Sequence, residues 1–255
     1  MKAIILAAGY ATRLYPLTQT VAKPLLPLAD RPMLDYLLDS LREGGEIDEV
    51  HVVTNSRKAA AFHDWARGRN VRIHDDGTTS EDDRLGAIGD IDFVVQRAGL
   101  EGDDVIVVAG DNLFDYSAAD VVGWWKTKGE ASAVVLYDVG SLELVKKYSS
   151  VDVDGDERLL AFTEKPEHPT STLVATAAYV YHRSHVALLH TYLAEAETPD
   201  QPGRFLAWLV PRAPVYGFTV RGEWHDIGDA AQLLEADNRY RERAGLPTRT
   251  AYSLD

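Results

Sequence analysis

Residues 6–13 of the 255-residue chain, LAAGYATR, combine a glycine and an arginine directly after a short apolar run. A glycine such as Gly9 lets the backbone turn tightly, so that successive N–H groups can face phosphate oxygens. The guanidinium of Arg13 is a planar cationic fork that suits the same oxygens. The stretch lacks the Gly-Lys-Ser/Thr of a P-loop and the spaced glycines of a dinucleotide-binding turn. A simple turn beside a surface arginine is the alternative interpretation.

Two lysines, Lys23 and Lys165, could add positive charge to such a site. Because proline disfavours a helical conformation in the residue before it, Pro24 leads us to expect an extended Lys23 whose ammonium group has a fixed direction. Lys165 follows Glu164 in FTEKPE, at the end of a predicted strand. Lys-Pro pairs and surface ion pairs are both common, so these residues carry weight only together with the other motifs.

Two aspartates could bind a divalent cation. Asp111 follows the β-branched run in DVIVVAGDN, and Asp226 stands in EWHDIGD. Proteins commonly bind Mg²⁺ through one or two carboxylates together with substrate phosphates. A turn aspartate and a helix cap are the alternative interpretations. Asp229 directly precedes a predicted helix and is the better N-cap candidate, which leaves Asp226 available for another role.

The elements that would position these residues alternate between strands and helices. Predicted strands at residues 2–8, 50–54, 71–74, 104–110 and 131–138 alternate with predicted helices at residues 34–41, 57–67, 85–98 and 118–128. Beyond residue 140 the pattern changes to a hairpin at 151–163, strands at 174–181 and 215–220, and helices at 185–195 and 230–243. This order predicts an α/β fold with a mostly parallel sheet that antiparallel pieces join. Ligands of such sheets bind at the carboxyl ends of the strands, and these motifs fall at predicted strand ends or in loops that could reach them.

The composition narrows the classes of function. The formal net charge of −14 disfavours nucleic-acid binding, so a local cluster of cations must overcome the acidic background if anionic ligands bind. The absence of cysteine excludes disulfides, thiolate zinc sites and cysteine nucleophiles. No apolar run approaches the ~18 residues of a membrane span, and the N-terminus has no leader pattern. We therefore expect a cytoplasmic protein with no membrane partner, and a homo-oligomer is possible.

Five motifs occur in an order that resembles one enzyme family. LAAGYATRLYPLT, AKPLLPLADRPML, AGDNLF, FTEKP and WHDIGDAAQLLEA are similar to motifs of sugar-1-phosphate nucleotidylyltransferases, also called nucleotide-sugar pyrophosphorylases. The resemblance, to members like glucose-1-phosphate thymidylyltransferase, runs from Met1 to Tyr240. It implies a Rossmann-like three-layer α/β/α nucleotidyltransferase fold with a mixed, mostly parallel central sheet. In a single domain of residues 1–255, residues 1–140 would bind the nucleotide and residues 141–228 the sugar phosphate. Residues 229–255 would form a C-terminal helix and tail.

The same resemblance implies transfer of a nucleoside monophosphate from an NTP to a sugar 1-phosphate, with release of pyrophosphate and formation of an NDP-sugar. It favours dTTP or UTP with a hexose 1-phosphate, while GTP or CTP is possible. Arg13, Lys23 and Asp111 would be catalytic, and Asp111 and Asp226 would bind Mg²⁺. The nucleotide-binding residues would be Leu6, Ala8, Gly9, Tyr10, Ala11, Thr12, Arg13 and Gly86. The sugar phosphate would contact Lys23, Glu164, Lys165 and Thr176.

Three departures from the family pattern leave the substrates open. Ala11 stands where many members have a second glycine, and because alanine disfavours a positive φ we expect a differently shaped loop. Residues 75–90 replace the Gln-Pro-rich stretch that usually reads the base. Ser149 and Ser150 stand where a Tyr-Gly pair often meets the sugar. A cytidylyltransferase for a non-sugar phosphate such as phosphocholine, and an inactive nucleotide-sugar-sensing subunit, are the alternatives.

Overall fold

A computed structural model describes residues 1–195 and 199–254 of the chain. The strands are β1 (Lys2–Leu6), β2 (Pro27–Leu28), β3 (Arg31–Pro32), β4 (Glu49–Thr54), β5 (Arg72–Asp75), β6 (Val105–Ala109), β7 (Asn112–Phe114), β8 (Ser132–Asp138), β9 (Ser149–Val153), β10 (Leu159–Glu164), β11 (Leu173–Tyr181), β12 (Val215–Thr219) and β13 (Trp224–Asp226). The α-helices are α1 (Leu17–Thr20), α2 (Met33–Arg42), α3 (Ala59–Ala66), α4 (Gly86–Ala98), α5 (Ala118–Lys126), α6 (Leu142–Val145), α7 (Arg183–Val186), α8 (Leu189–Glu195), α9 (Pro202–Leu209) and α10 (Ala230–Arg243). Short 3-10 turns add to these at Thr12–Leu14, Lys23–Leu25 and Glu43–Gly45.

Seven strands form the central sheet in the order β12-β8-β11-β6-β1-β4-β5. The four strands β6, β1, β4 and β5 run parallel, as do β12 and β8, whereas β11 is antiparallel to both of its neighbours. Two short antiparallel ladders, β2–β3 and β7–β13, and the β9–β10 hairpin lie outside this sheet. The sheet is therefore mixed and mostly parallel, as the sequence predicts.

Each face of the sheet buries a separate apolar core. Ala3 and Ile5 of β1 pack with α2, α3 and α5, whereas Ile4 packs on the opposite face with α4, α8 and α9. Successive side chains of a strand point to opposite faces, so a continuous apolar run supplies both cores. A third cluster places Leu233 of α10 against Leu14 and Leu26, next to the N-terminal motifs. The result is three layers, with helices on both sides of the sheet.

Most predicted elements are confirmed to within two residues at each end. The predicted helix at 185–195 is instead two short helices, α7 and α8, because a tight Leu188 N–H to His185 carbonyl hydrogen bond interrupts the α-helical pattern. The helix α9 and the small β2–β3 and β7–β13 ladders were not predicted. Their segments are short, and their pairing depends on contacts distant in sequence. No helix among the described residues is long and apolar enough to cross a membrane.

Candidate active site

The loop after β1 is fixed at its base and open at its tip. The Ala7 N–H donates to the Val53 carbonyl at 2.9 Å, and Nδ2 of the buried Asn55 donates to the Ala8 carbonyl at 2.8 Å. Gly9 is exposed, and no atom lies within 4 Å of the position that a Cβ would take there. Space is therefore open beside Gly9, and the N–H groups of residues 9–11 donate to none of the described residues, which leaves them available to an anion.

Ala11 holds the second turn of this loop in the left-handed region, with φ 50° and ψ 43°. Its carbonyl accepts hydrogen bonds from the Leu14 N–H at 3.0 Å and from Oγ1 of Thr18 at 2.8 Å. These bonds fix a conformation that alanine disfavours. The expectation that Ala11 would avoid a positive φ is wrong, because the loop keeps the turn that a glycine would make.

Arg13 extends from the same loop into solvent beside the second aspartate motif. Its Nη1 atom lies 3.7 Å from the position that a Cβ would take at Gly228, directly after Asp226 and Ile227. Within residues 1–195 and 199–254, Arg13 has no hydrogen-bond or ion-pair partner. Its guanidinium therefore keeps all its donors available for a ligand.

Lys23 meets Asp111 across 88 residues of sequence. Nζ of Lys23 donates to Oδ2 of Asp111 at 2.6 Å. Lys23 is the first residue of a 3-10 turn, and Ala22 before it is extended, so the expected extended conformation of Lys23 is wrong. The hydrogen bond from the Leu26 N–H to the Lys23 carbonyl outweighs the preference that Pro24 imposes.

Gly110 allows this contact. A Cβ at Gly110 would lie 2.9 Å from the Leu6 carbonyl oxygen and 3.2 Å from Cγ of Pro24. Only a residue without a side chain therefore lets the turn that carries Lys23 pack against the ends of β1 and β6. Burial alone would raise the pKa of Asp111, but the charge and hydrogen bond of Lys23 outweigh it and hold that pKa below its ordinary value.

The β7–β13 ladder brings the second aspartate to the first. Asp226 pairs with Asn112 in this ladder, and the Ile227 N–H donates to the Asp111 carbonyl at 3.2 Å. Burial, and then the negative charge of Asp111, raise the pKa of Asp226. Asp229 caps α10 by accepting from the Ala231 and Gln232 N–H groups, as the sequence predicts.

One cavity of about 460 Å³ collects these residues. Its lining includes Leu6, Ala8, Gly9, Tyr10, Ala11, Thr12, Arg13, Lys23, Gly86, Asp111 and Asp226. The structure thus brings together every residue predicted for the nucleotide and the metal. The part of this cavity formed by the loop, Arg13, Lys23, Asp111 and Asp226 can hold a polyphosphate and a divalent cation.

The residues predicted for the sugar phosphate are more dispersed. Glu164 ends β10 half-buried against Gly203 of α9, where its Oε2 lies 2.5 Å from the position of an added Cβ. Burial raises the pKa of Glu164, against the opposing charges of Lys165 and Arg204. Lys165, the next residue in the chain, is exposed. Neither residue lines the 460 Å³ cavity.

Thr176 points away from that cavity. It is fully buried, and its hydroxyl donates to the Val135 carbonyl at 3.2 Å and lies 3.4 Å from the Tyr116 hydroxyl. The pairing of β11 with β8 shifts register between Ala175 and Tyr179, and Ala177 within this irregularity has φ 55° and lines the cavity instead. A role for Thr176 at the sugar stays a prediction that these contacts do not support.

A family model described as nucleotidyl transferase matches residues 2–243. The chain belongs to this family. Among curated members, UTP–glucose-1-phosphate uridylyltransferase of Synechocystis sp. is 29% identical over 247 residues, which cover 92% of this chain and 62% of that protein. Glucose-1-phosphate thymidylyltransferase of Streptomyces griseus is 29% identical over 245 residues, which cover 93% of this chain and 65% of that protein. The chain therefore spans less than two thirds of the length of these relatives.

A solved structure, UDP-glucose pyrophosphorylase complexed with UDP-glucose, is similar with a TM-score of 0.78 at 21% identity. The match covers 95% of this chain and 98% of that chain. This likeness confirms the expected fold, and the family match confirms the resemblance on which that expectation rests.

One wall of the cavity consists of residues that none of the sequence motifs included. The wall carries Asp76, Glu81, Arg84, Asp90 and Asp200. Asp90 is 7% exposed and stands on α4 one turn after Gly86 and one turn before Val94, both buried. In the predicted helix, Asp90 occupies a position whose spacing from Gly86 and Val94 places it on the buried face. An aspartate at such a position was the sequence signal that could have pointed to this wall.

Proposed function

We propose that this chain transfers a nucleoside monophosphate from a nucleoside triphosphate to a sugar 1-phosphate. The observation that carries the proposal is the single cavity that contains the Gly9–Arg13 loop, Lys23, Asp111 and Asp226. Membership of the nucleotidyl transferase family and the names of the two relatives, both of which act on glucose 1-phosphate, support it. Those names favour a sugar phosphate over the alternative of a non-sugar acceptor such as phosphocholine.

The reaction is an in-line displacement. A phosphate oxygen of the sugar 1-phosphate forms a bond to the α-phosphorus of the triphosphate, and the bond from that phosphorus to the bridging oxygen of the β-phosphate breaks. Pyrophosphate leaves, and the product is an NDP-sugar. Such a transfer needs positioning and charge stabilisation more than covalent help from the protein.

The cations of the cavity suit this chemistry. Arg13, whose donors are free within the described residues, would bind the phosphates that depart as pyrophosphate. Lys23 lies between the loop and Asp111, so its ammonium can turn from the carboxylate to a phosphate oxygen of either substrate. The backbone N–H groups from Gly9 onward would bind the triphosphate from the other side.

Asp111 and Asp226 would hold Mg²⁺. Two half-buried acidic groups lie together, and only Asp111 has a lysine partner, so the pair carries negative charge that a divalent cation would balance. Two carboxylates and substrate phosphates are the ordinary donor set for this ion. When bound, Mg²⁺ would neutralise charge on the phosphate oxygens.

The sugar phosphate would bind on the side of residues 141–228, towards Glu164 and Lys165, and the nucleotide on the side of residues 1–140. Ser149 and Ser150 each use their hydroxyl to accept a backbone N–H, from Ala175 at 3.0 Å and Ser171 at 3.4 Å. They therefore tie β9 to the chain around β11. The expectations of a cytoplasmic location and of a homo-oligomer stay predictions.

The test is a matrix of nucleoside triphosphates and hexose 1-phosphates with MgCl₂, in which pyrophosphate release and NDP-sugar formation are both measured. We expect at least one pair to give equal amounts of the two products. Folded protein that turns over no pair would overturn the proposal. Binding of nucleotide without turnover would favour the inactive sensing subunit.

A further inference from the structure

The wall of the cavity formed by residues 75–90 carries a buried acceptor that nothing in the described protein satisfies. Oδ1 of Asp90 is buried and receives no hydrogen bond from any residue within 1–195 or 199–254. The side chain lines the 460 Å³ cavity, and its carboxyl group forms a hydrogen bond with Asp76, which leaves Oδ1 as the unpartnered atom. A buried polar atom without a partner is costly, so its presence in a ligand cavity points to a donor that the ligand supplies.

Asp76 has a fixed orientation. Its Oδ1 accepts hydrogen bonds at 2.7 Å from both the N–H and the hydroxyl of Thr78, and the Thr78 hydroxyl also accepts from the Tyr10 hydroxyl at 3.1 Å. This chain of contacts connects the phosphate loop to the carboxylates. Burial, and then the charge of Asp76, raise the pKa of Asp90 to about 8, which reflects two acidic groups close together away from water.

The acidic wall is separate from the phosphate-binding end of the same cavity. The charges of Asp111, Lys23 and Arg13 affect the pKa of Asp226, whereas the charge of Asp76 affects the pKa of Asp90. Arg84, a cation on this wall, is paired with Asp200 at 3.0 Å. The proposed function places the phosphates at the cationic end, which leaves the acidic wall to face the sugar or the base of the nucleotide.

The bases differ in the donors that they offer to such a wall. A hydrogen bond joins the Asp90 and Asp76 carboxyl groups, so one proton lies between them at neutral pH and their remaining oxygens only accept hydrogen bonds. Uracil and thymine present one N–H between two carbonyl oxygens, and those oxygens would face the carboxylates. Adenine and cytosine present an amino group beside a ring nitrogen that is an acceptor. Guanine presents N1–H and an N2 amino group side by side, a pair that matches a carboxylate.

We propose that Asp90, supported by Asp76, reads the nucleobase and selects guanine over uracil and thymine. This inference rests on the proposed nucleotidyl transfer and names its nucleotide. It departs from the expectation that dTTP or UTP is favoured, which came from the resemblance, and it depends on side chains that no motif of that resemblance includes. On binding, the N1–H and N2–H groups of guanine would donate to Oδ1 of Asp90 and to the carboxyl oxygens that the pair leaves free.

Direct binding tests the inference without turnover. GTP, UTP, dTTP, CTP and ATP are titrated into the protein with MgCl₂ and without sugar phosphate. We expect GTP to bind about 10- to 100-fold more tightly than UTP or dTTP. Equal affinities, or a preference for any other nucleotide, would overturn it. Selective binding of GTP with no turnover would instead overturn only the proposed reaction.

The Asp90→Asn variant assigns the preference to this side chain. Asparagine keeps the shape but replaces one acceptor by donors, so we expect the preference for GTP over UTP to fall by about tenfold or more. Asp92→Asn is the matched control, because Asp92 lies on α4 outside the cavity, where it accepts from Gln96 at 2.6 Å. An Asp90→Asn variant that keeps the wild-type preference would contradict the assignment.

Discussion

The two ends of the cavity differ in how their charges are balanced. At the phosphate end Lys23 is paired with Asp111 at 2.6 Å, and Arg13 is nearby without a partner among the described residues. At the opposite end Asp90 lies beside Asp76, and its buried Oδ1 receives no hydrogen bond from the described residues. The first end is suited to anions and a metal, and the second to hydrogen-bond donors.

The two ends also differ in how the fold builds them. The phosphate end joins residues far apart in sequence, and it depends on Gly110 and on the β7–β13 ladder. The acidic end comes from one loop and one helix, residues 75–90. Because the ends use separate elements, substitutions should affect catalysis and base preference independently.

The largest effect is expected at the phosphate end. Asp226→Asn should lower kcat by about 10²–10³-fold with every nucleotide, because it removes a proposed metal ligand without a change of shape. Steady-state kinetics against several triphosphates measures it, with the exposed Asp156→Asn as control. A wild-type kcat for Asp226→Asn, or a loss confined to one base, would break the distinction between the ends.

Gly110→Ala should weaken the same end through packing. The added Cβ would lie 2.9 Å from the Leu6 carbonyl oxygen, so we expect a loss of about 1–3 kcal/mol in the free energy of unfolding, together with lower kcat as Lys23 moves. Urea denaturation and kinetics measure the two effects. Gly123→Ala is the control, because no atom lies within 4 Å of a Cβ there and its helix should gain about 0.5–1 kcal/mol. If Gly110→Ala behaves like the control, the close approach is not needed.

The acidic end should make stability depend on pH. The fold favours the neutral form of Asp90, whose pKa rises from 3.8 to about 8, so this stabilisation is complete below the unfolded value and is lost as pH rises towards 8. Asp90→Asn removes this dependence, and its melting temperature should exceed that of the wild type increasingly over that range. The facing titratable group is Asp76. A difference that is constant with pH would show that Asp90 is ionised throughout.

Ala11→Gly should have the smallest effect. Relief of the left-handed φ of 50° favours the variant by about 1–2 kcal/mol, and the greater freedom of glycine in the unfolded chain opposes it by about 0.5–1 kcal/mol. Urea denaturation should therefore show equal or slightly greater stability. Ala61→Gly in α3, where the backbone is helical, should lose about 1 kcal/mol. An equal loss in both variants would contradict the strain at Ala11.

The sequence predicted the α/β order and the residues that line the first end of the cavity, because apolar runs, glycines and charged motifs are local signals. It was wrong about Lys23, since the preference imposed by Pro24 is weaker than the hydrogen bonds of a 3-10 turn. The orientation of Thr176 depends on a register shift in β11, which changes the face that each residue occupies. No local pattern specifies such a shift.

The acidic end was visible in the sequence only as an unusual loop. Residues 75–90 were expected to alter base recognition, but the loop alone does not show which of its many carboxylates faces the cavity. The burial of Asp90 depends on tertiary packing, because it requires α4 to lie over β1 and β4. Asp82, in the same loop, is exposed and lies outside the cavity.

A crystal structure with a GTP analogue, in which a methylene group replaces the oxygen between the α- and β-phosphorus, tests the division of the cavity most directly. The triphosphate should lie against residues 9–13 near Lys23, with N1 and N2 of guanine donating to Asp90. A triphosphate bound elsewhere, or a guanine edge turned away from Asp90, would contradict the account.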